Sequence, residues 1–174
     1  LKKQLFLFTE ETNFKTTFIS FVVIYPHIKC NSEDEFENFL WQELKDIHVY
    51  DRNTYNYRWN KQVSSNPQSE HFAFSFNNVP FFIVGLHPNA SRPSRRFKHT
   101  TLVFNPKNQF DILRNNGKFE LLKNKIRKND MNICGSINPN LHDFGAGSQG
   151  SQFSGSDNTD GWVCPVKFYL ESNT

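Results

Sequence analysis

The sequence has few cysteines, no long apolar run and no block of one charge sign. Its three cysteines, Cys30, Cys134 and Cys164, are an odd number without a CxxC pair or a zinc-type spacing. A reducing compartment is the simpler expectation, so we expect a cytoplasmic protein. No apolar stretch approaches the roughly 20 residues of a membrane-spanning helix, and no signal-peptide pattern is seen. Because the sequence starts at Leu1 rather than Met, a fragment that has lost a leader is the alternative.

Common catalytic motifs are also missing. There is no GxxxxGK[ST], GxGxxG, GxSxG or HExxH, so the usual nucleotide, serine-hydrolase and zinc-protease interpretations lose support. Twenty basic against seventeen acidic residues give a net charge of +3, which is mild for a nucleic-acid binder. What is abundant is phenylalanine, with 19 copies in 174 residues. We expect one domain with a phenylalanine-rich core that could enclose a flat apolar guest.

The first half of the chain predicts a strand, a helix and a long connection. Residues 16–25 are rich in β-branched and aromatic side chains and are stopped by Pro26, which is typical of a buried strand. A capping-box pattern then begins a helix over 32–48, with apolar residues at helical spacing. Residues 51–69 follow neither period and are expected to form a long connection anchored by Trp59.

The second half predicts a β-hairpin, a further strand and more helix. Residues 72–76 and 79–86 flank the turn Asn77-Asn78, and 100–104 is the next strand. Asn105 is the expected N-cap of a following helix, with Pro106 at its first position. That helix continues to about Asn129, either whole or broken at Asn116-Gly117.

From Met131 onward, glycine, serine and asparagine dominate but apolar side chains recur, so this segment is expected to fold back over the domain. The predicted class is therefore α+β, in the order β-α-β-β-β-α. We expect a mostly antiparallel sheet with helices on one face and an irregular C-terminal wrap.

The loop between the predicted strands 79–86 and 100–104 gathers the residues best suited to chemistry. It holds His87 and the three arginines Arg92, Arg95 and Arg96. Guanidinium groups bind carboxylate or phosphate through two parallel hydrogen bonds, and histidine readily ligates metals or transfers protons near neutral pH. The combination predicts a site for an anionic ligand. A solvated basic loop is the open alternative.

Three stretches of the chain, taken together, resemble the YqcI/YcgG family. They are Gly85-Leu86-His87-Pro88 with Ser91-Arg92 and Arg95-Arg96-Phe97; Leu102-Val103-Phe104-Asn105-Pro106 with Gln109-Phe110 and Leu113-Arg114; and Gly135-Ser136, Asn138-Pro139, Phe144-Gly145, Gln152-Phe153-Ser154-Gly155 and Trp162-Val163-Cys164-Pro165. Each motif is weak alone, but the set is specific. With looser similarity over 36–51 and 72–82, the resemblance covers the chain from about residue 16.

The resemblance implies a heme-dependent N-oxygenase. Such an enzyme would use O₂ to hydroxylate a nitrogen of a guanidino or amino compound, for example an arginine-like amino acid. The heme b would be held non-covalently, since no CxxCH is present. An external electron donor such as a ferredoxin or flavin reductase is implied as a partner. The whole chain, 1–174, would be a single YqcI/YcgG-like domain that lacks part of its N-terminus.

The resemblance and the residue types together suggest roles for particular side chains. His87 is the expected iron ligand and catalytic residue, because imidazole is the commonest proximal ligand of heme. The residues expected to bind the heme are His87, Arg92, Arg95, Arg96 and His48. His48 is the second candidate ligand, although a helix cap or surface histidine is the simpler interpretation of it. The residues expected to face a polar substrate are Asn138, Asp143, Gln149 and Gln152.

One segment departs from the family pattern. Where Ser-Glu-Ala-Arg is usual, this chain has Ser148-Gln149-Gly150-Ser151, which removes a carboxylate and a guanidinium. A second hypothesis follows, in which the protein is a non-catalytic module that binds heme or another anion. A third hypothesis is nucleic-acid binding through the loop arginines and the basic segment 123–128, and it predicts an affinity that falls steeply with salt.

Overall fold

The computed structural model describes residues 1–16, 18–138, 145–156 and 161–168. Its helices and strands are α1 Lys2–Glu11, β1 Phe21–Tyr25, α2 Glu33–Tyr55, β2 Phe74–Phe76, β3 Val79–Leu86, β4 Thr100–Pro106, α3 Lys107–Asn115 and α4 Phe119–Cys134. The strands form one sheet in the order β1-β4-β3-β2, and every neighbouring pair is antiparallel. The predicted α+β class with an antiparallel sheet is confirmed.

The β2–β3 hairpin forms where the sequence predicts it. Asn77 and Asn78 both have positive φ, 48° and 59°, which is the conformation of a two-residue turn whose twist matches the flanking strands. Phe74 lies opposite Phe81 in the register of the pair. β3 then pairs with β4, so that the centre of the sheet is formed by the two strands that flank the basic loop.

Helix α2 is longer than predicted. It begins as expected, because the Ser32 side chain accepts a hydrogen bond from the Glu35 N–H at 3.1 Å. It continues to Tyr55, however. The prediction that 51–69 is a long connection was therefore wrong for residues 51–55, which are helical. Tertiary contacts extend the helix: the Tyr55 ring stacks on Phe6 at 4.1 Å, and buried Asp51 accepts from the N–H of Asn77.

Helix α2 covers one face of the sheet. Phe81 and Ile83 of β3 point toward it, together with Phe104 of β4, and all three are fully buried. Gly85 stands on the same face, and a Cβ there would lie 2.6 Å from the ring of Phe36 in α2. Glycine therefore sets how closely the helix can approach the strand.

Helices α3 and α4 flank the other face. Phe82, which alternates with Phe81 along β3, meets Phe110 of α3 with ring centroids 6.5 Å apart. Helices thus lie on both faces of the sheet rather than on one. β4 runs through Pro106, so α3 begins one residue later than predicted, and α3 and α4 are two helices separated at Gly117 with φ 68°.

The two ends of the chain also differ from the simplest expectation. The apolar run 5–8, whose type the sequence left open, lies in α1, and α4 extends to Cys134 rather than ending near Asn129. The described part of the C-terminal segment does fold over the domain. The carbonyl of Phe153 accepts from the N–H of Gly85 at 2.8 Å, and its ring stacks on Trp41. Within the described ranges, no helix is both long and apolar enough to span a bilayer.

The buried carboxyl of Asp51 predicts a pH-dependent stability. Burial raises its pKa to about 6, although the Asn77 N–H partly opposes the shift, and its second oxygen has no hydrogen-bond partner in the described structure. Because the pKa is higher in the folded protein than in the unfolded chain, the neutral carboxyl favours folding. This contribution is complete below about pH 4 and is lost as the pH rises through about 6.

We therefore expect Asp51→Asn to flatten the dependence of the urea midpoint on pH between 4 and 7. Asp46→Asn is the matched control, since Asp46 is an exposed residue of the same helix. If the urea midpoint of both variants depends on pH as steeply as that of the parent protein, the burial of Asp51 does not cause this pH dependence.

Candidate functional site

A cavity of about 530 Å³ lies between the second sheet face and helices α3 and α4. Its size is in the range of small-molecule sites. Apolar side chains form most of its walls: Phe82, Val84, Phe110, Phe119, Leu122 and Ile126. The α4 members of this set recur at helical spacing, so one face of α4 closes the cavity.

The basic loop is held by its own backbone at the edge of this cavity. The N–H of His87 donates to the carbonyl of Arg95 at 3.1 Å, and the carbonyl of His87 accepts from the N–H of Phe97 at 3.3 Å. Between them lies a short 3-10 turn, Pro93–Arg95. The arginines of the loop are therefore fixed in different directions, and each meets different partners.

Arg92 pairs with Asp130 of α4 inside the protein. Its guanidinium donates to the carboxylate at 2.7 Å and to the carbonyl of Ser136 at 2.7 Å, and both charged side chains are more than 90% buried. Asp130 also accepts from the hydroxyl of Ser94 and from the N–H of Asn138. Burial opposes ionisation of Asp130, but these hydrogen bonds and the charge of Arg92 outweigh it and lower the pKa.

Arg95 faces the cavity instead. Its two terminal nitrogens donate to the carbonyls of Gly85 and Gln152, each at 3.2 Å. No carboxylate among the described residues forms an ion pair with it. Burial lowers its pKa to about 10, so the group remains charged at neutral pH. Gly155, with φ 80°, makes room for it, since a Cβ there would lie 2.8 Å from the Arg95 Cγ.

Arg96 stays at the surface. Its Nε donates to the carbonyl of Ala90 at 2.7 Å and a terminal nitrogen donates to the carbonyl of Ser91, so the side chain closes the loop from outside. Arg96 is exposed and does not line the cavity. The sequence grouped three arginines, whereas the structure assigns them to an internal ion pair, the cavity and the surface.

Three of the four residues predicted to face a substrate line the cavity. They are Asn138, Gln149 and Gln152. Asp143, the fourth, lies outside the residues that the structure describes. Gln149 stands in the segment that departs from the family pattern; it is buried, and its amide donates to the carbonyl of Gly147 at 3.1 Å.

The two candidate iron ligands lie elsewhere. His87 is 1% exposed and shares the sheet face of Gly85, where its ring stacks on Phe36 at 4.3 Å. Burial lowers its pKa, and its Nδ1 has no hydrogen-bond partner in the described structure. His48 packs against Trp59 and Phe168. Neither histidine lines the cavity, so the predicted iron ligands are not brought together with Arg95 there.

Some residues that line the cavity were not among the predicted heme or substrate ligands. Asp130 is the most important, and Lys107, Arg114 and Lys123 also line the cavity. The signal for Asp130 was its position on the apolar stripe of α4, where an acidic residue needs a buried partner. In the parts of the chain that the structure describes, no cluster of three His, Cys, Asp or Glu side chains could hold a metal ion.

Comparison with known proteins decides the family. The profile of the YqcI/YcgG family matches residues 1–167. The chain belongs to the YqcI/YcgG family. The match runs through the loop arginines and the residues of the cavity, and it confirms the resemblance predicted from the motifs.

Two relatives are informative. The chain is 31% identical over 87 residues to a Streptomyces lavendulae protein named "Putative N(omega)-hydroxy-L-arginine synthase DcsA", which covers 49% of this chain and 31% of that protein. It is 27% identical over 97 residues to "Uncharacterized protein YqcI" of Bacillus subtilis (strain 168), which covers 55% and 37%. The aligned part thus spans about a third of each relative. No solved structure matches the chain.

The Arg92–Asp130 pair makes a prediction about stability. Asp130→Asn should destabilise the protein by roughly 3 to 5 kcal/mol, because it leaves a buried guanidinium without its counter-charge. Replacing both partners, as Arg92→Met with Asp130→Leu, should be less harmful than the single change. The free energy of unfolding in urea measures both effects.

The control for this pair is Asp111→Asn. Asp111 bonds Lys107 and Arg114 but its side chain is 43% exposed, so its loss should change stability by about 1 kcal/mol or less. If Asp130→Asn and Asp111→Asn lower the free energy of unfolding equally, the buried pair does not stabilise the protein more than an exposed one.

Proposed function

We propose that the cavity binds a small compound that carries a carboxylate, and that the protein hydroxylates a guanidino or amino nitrogen of that compound. The observation that carries the proposal is Arg95, a desolvated cation at the cavity wall without a carboxylate partner among the described residues. The name of the Streptomyces relative supports the type of reaction.

Arg95 has the geometry of a carboxylate receptor. Two of its five N–H groups are used by backbone carbonyls, which hold the guanidinium plane in place, and other N–H groups can donate to a ligand. A carboxylate accepts two parallel hydrogen bonds from such a group, and the interaction is stronger away from water. A ligand anion would also offset the desolvation that lowers the pKa of Arg95.

The amide side chains suit the other end of the compound. Asn138, Gln149 and Gln152 line the same cavity, and an amide both donates and accepts hydrogen bonds. They can therefore orient an amino or guanidino nitrogen without adding charge.

In the proposed reaction one atom of O₂ is inserted into an N–H bond, and the other leaves as water. The product is an N-hydroxy compound, and the balance requires two electrons and two protons from an external donor of the ferredoxin or flavin reductase type. This chain would bind and orient the substrate and exclude water from the nitrogen.

The family resemblance implies heme b, and the described cavity meets only part of what heme requires. Arg95, Arg114 and Lys123 could pair with the propionates, and the phenylalanine walls suit a macrocycle. No His, Cys, Met or Tyr is found among the described lining residues, however, so this part of the cavity offers no usual axial ligand. No step of the proposal passes through heme, and ligation by His87 stays a prediction.

The nucleic-acid hypothesis loses its main support. Arg92 is turned into the protein and Arg95 into the cavity, which leaves Arg96 as the exposed arginine of the loop. A non-catalytic module would bind a ligand carboxylate at Arg95 just as the proposed enzyme would. Turnover of the bound compound distinguishes the two hypotheses.

Binding of amino acids and of the matching amines tests whether Arg95 binds a ligand carboxylate. In calorimetry, L-arginine is compared with agmatine and L-phenylalanine with phenethylamine, since each amine lacks only the carboxylate. At least one acid should bind more tightly than its amine. Arg95→Ala should weaken that acid by on the order of 1.5 to 3 kcal/mol, roughly 10- to 150-fold. Arg95→Lys keeps the charge but loses the planar fork, and should be intermediate.

Arg96→Ala is the matched control, because Arg96 belongs to the same loop but lies outside the cavity. With O₂ and a reductase system, the bound acid should gain one oxygen atom by mass spectrometry. If no acid binds more tightly than its amine, or if Arg95→Ala leaves the affinity for the acid unchanged, Arg95 does not bind the carboxylate of the ligand.

A hemin titration tests the predicted ligand independently of Arg95. If His87 ligates iron, the parent protein shows a stoichiometric Soret band that His87→Ala shifts or abolishes and His48→Ala leaves unchanged. The reverse pattern would assign the ligand to His48. Absence of the band in the parent chain would contradict heme binding by these residues.

A further inference from the structure

We infer that the cavity selects an amino carboxylate with an apolar or aromatic side chain over one with a cationic side chain. This inference rests on the proposed function and specifies its substrate class. It differs from what the name of the Streptomyces relative suggests, which is a compound with a guanidino group. The argument comes from the charges and the apolar surface of the described cavity.

The first observation is that most of the described cavity lining is apolar. The apolar part is formed by phenylalanine and aliphatic side chains from β3, α3 and α4. Two isoleucines of α4, Ile126 and Ile133, line the cavity yet remain 45% and 58% exposed. Large aliphatic side chains on the inner face of a helix gain burial when an apolar group enters beside them. An apolar ligand body would complete this packing, whereas a hydrated cation would not.

The second observation is that the cavity has more positive than negative groups. Arg95, Lys107, Arg114 and Lys123 line it, and Asp130 is the one carboxylate among the described lining residues. Lys107 and Arg114 share the single carboxylate of Asp111, and Lys123 bonds Glu120, so two carboxylates offset two of these three positive charges. Arg95 is a lining cation that forms no ion pair with the described carboxylates.

The third observation is that Asp130 is already engaged. One of its oxygens accepts from the Arg92 guanidinium and from the Asn138 N–H, and the other accepts from the Ser94 hydroxyl. A ligand guanidinium would therefore have to compete with Arg92 for the carboxylate. It would also share the cavity with the like-charged Arg95, which would repel it. The described residues thus accommodate the carboxylate of a substrate but not a second, cationic end.

The direct test measures the affinities of the full chain for a set of amino acids by calorimetry. L-Phenylalanine, L-tryptophan and L-leucine represent apolar side chains, and L-arginine and L-lysine represent cationic ones. We expect the best apolar amino acid to bind at least tenfold more tightly than L-arginine. Phenethylamine should bind far more weakly than L-phenylalanine, because it has no carboxylate to accept hydrogen bonds from Arg95.

A variant of the wall provides a specificity switch. Leu122 is a half-buried residue on the cavity face of α4. Leu122→Glu adds a second carboxylate to the described lining, beside the engaged Asp130, and should raise the affinity for L-arginine at least fivefold while lowering that for L-phenylalanine. Leu122→Gln is the matched control: it should lower the affinity for L-phenylalanine without favouring L-arginine, since it adds polarity but no charge.

The possible results separate this inference from the proposed function. If L-arginine binds more tightly than every apolar amino acid and is hydroxylated, the inference is wrong and the proposed function stands. If 3-phenylpropionate binds but no amino acid does, the cavity binds a carboxylate as proposed. Both the inferred substrate class and the proposed N-hydroxylation are then wrong. If none of these compounds binds, both proposals are wrong.

Discussion

The buried ion pair between Arg92 and Asp130 organises the functional half of the molecule. Asp130 is the one buried residue of α4, and its carboxylate joins the helix to Arg92 and Ser94 of the basic loop. The pair joins α4 to the basic loop beside the cavity, and the apolar residues Phe119, Leu122 and Ile126 of α4 line that cavity. It also pairs the charge of Arg92 internally, so that Arg95 is the arginine of the loop that lines the cavity. Paired buried charges are tolerated because each satisfies the other.

The alternation of side chains along β3 divides the chemistry of the loop between two faces. Phe82 and Val84 point into the cavity, while Ile83, Gly85 and His87 point toward α2. A histidine two residues after a core glycine is therefore carried into the core with it. The arginines follow a turn and escape this alternation, which is why Arg95 can reach the cavity and His87 does not.

The departure from the family pattern lies within the same site. Gln149 lines the cavity at the position where the resemblance implies glutamate, and Ser151 is buried with its hydroxyl bonded to the carbonyl of Ser148. The wall therefore has a neutral amide where the resemblance implies a carboxylate. A neutral amide does not attract the cationic end of a ligand as a carboxylate would.

The sequence by itself determined the family, the antiparallel hairpin with its asparagine turn, the start of α2 and the backfolded C-terminal segment. These features depend on local periodicity, capping and turn chemistry, which short stretches of sequence contain. Only the tertiary structure decided that α2 continues to Tyr55, that helices flank both sheet faces, and that three neighbouring arginines have three different partners. The reason is physical: Asp130 and Gly85 act through residues distant in the chain, and the pairing of buried charges and the closeness of packed backbones appear only when the elements meet.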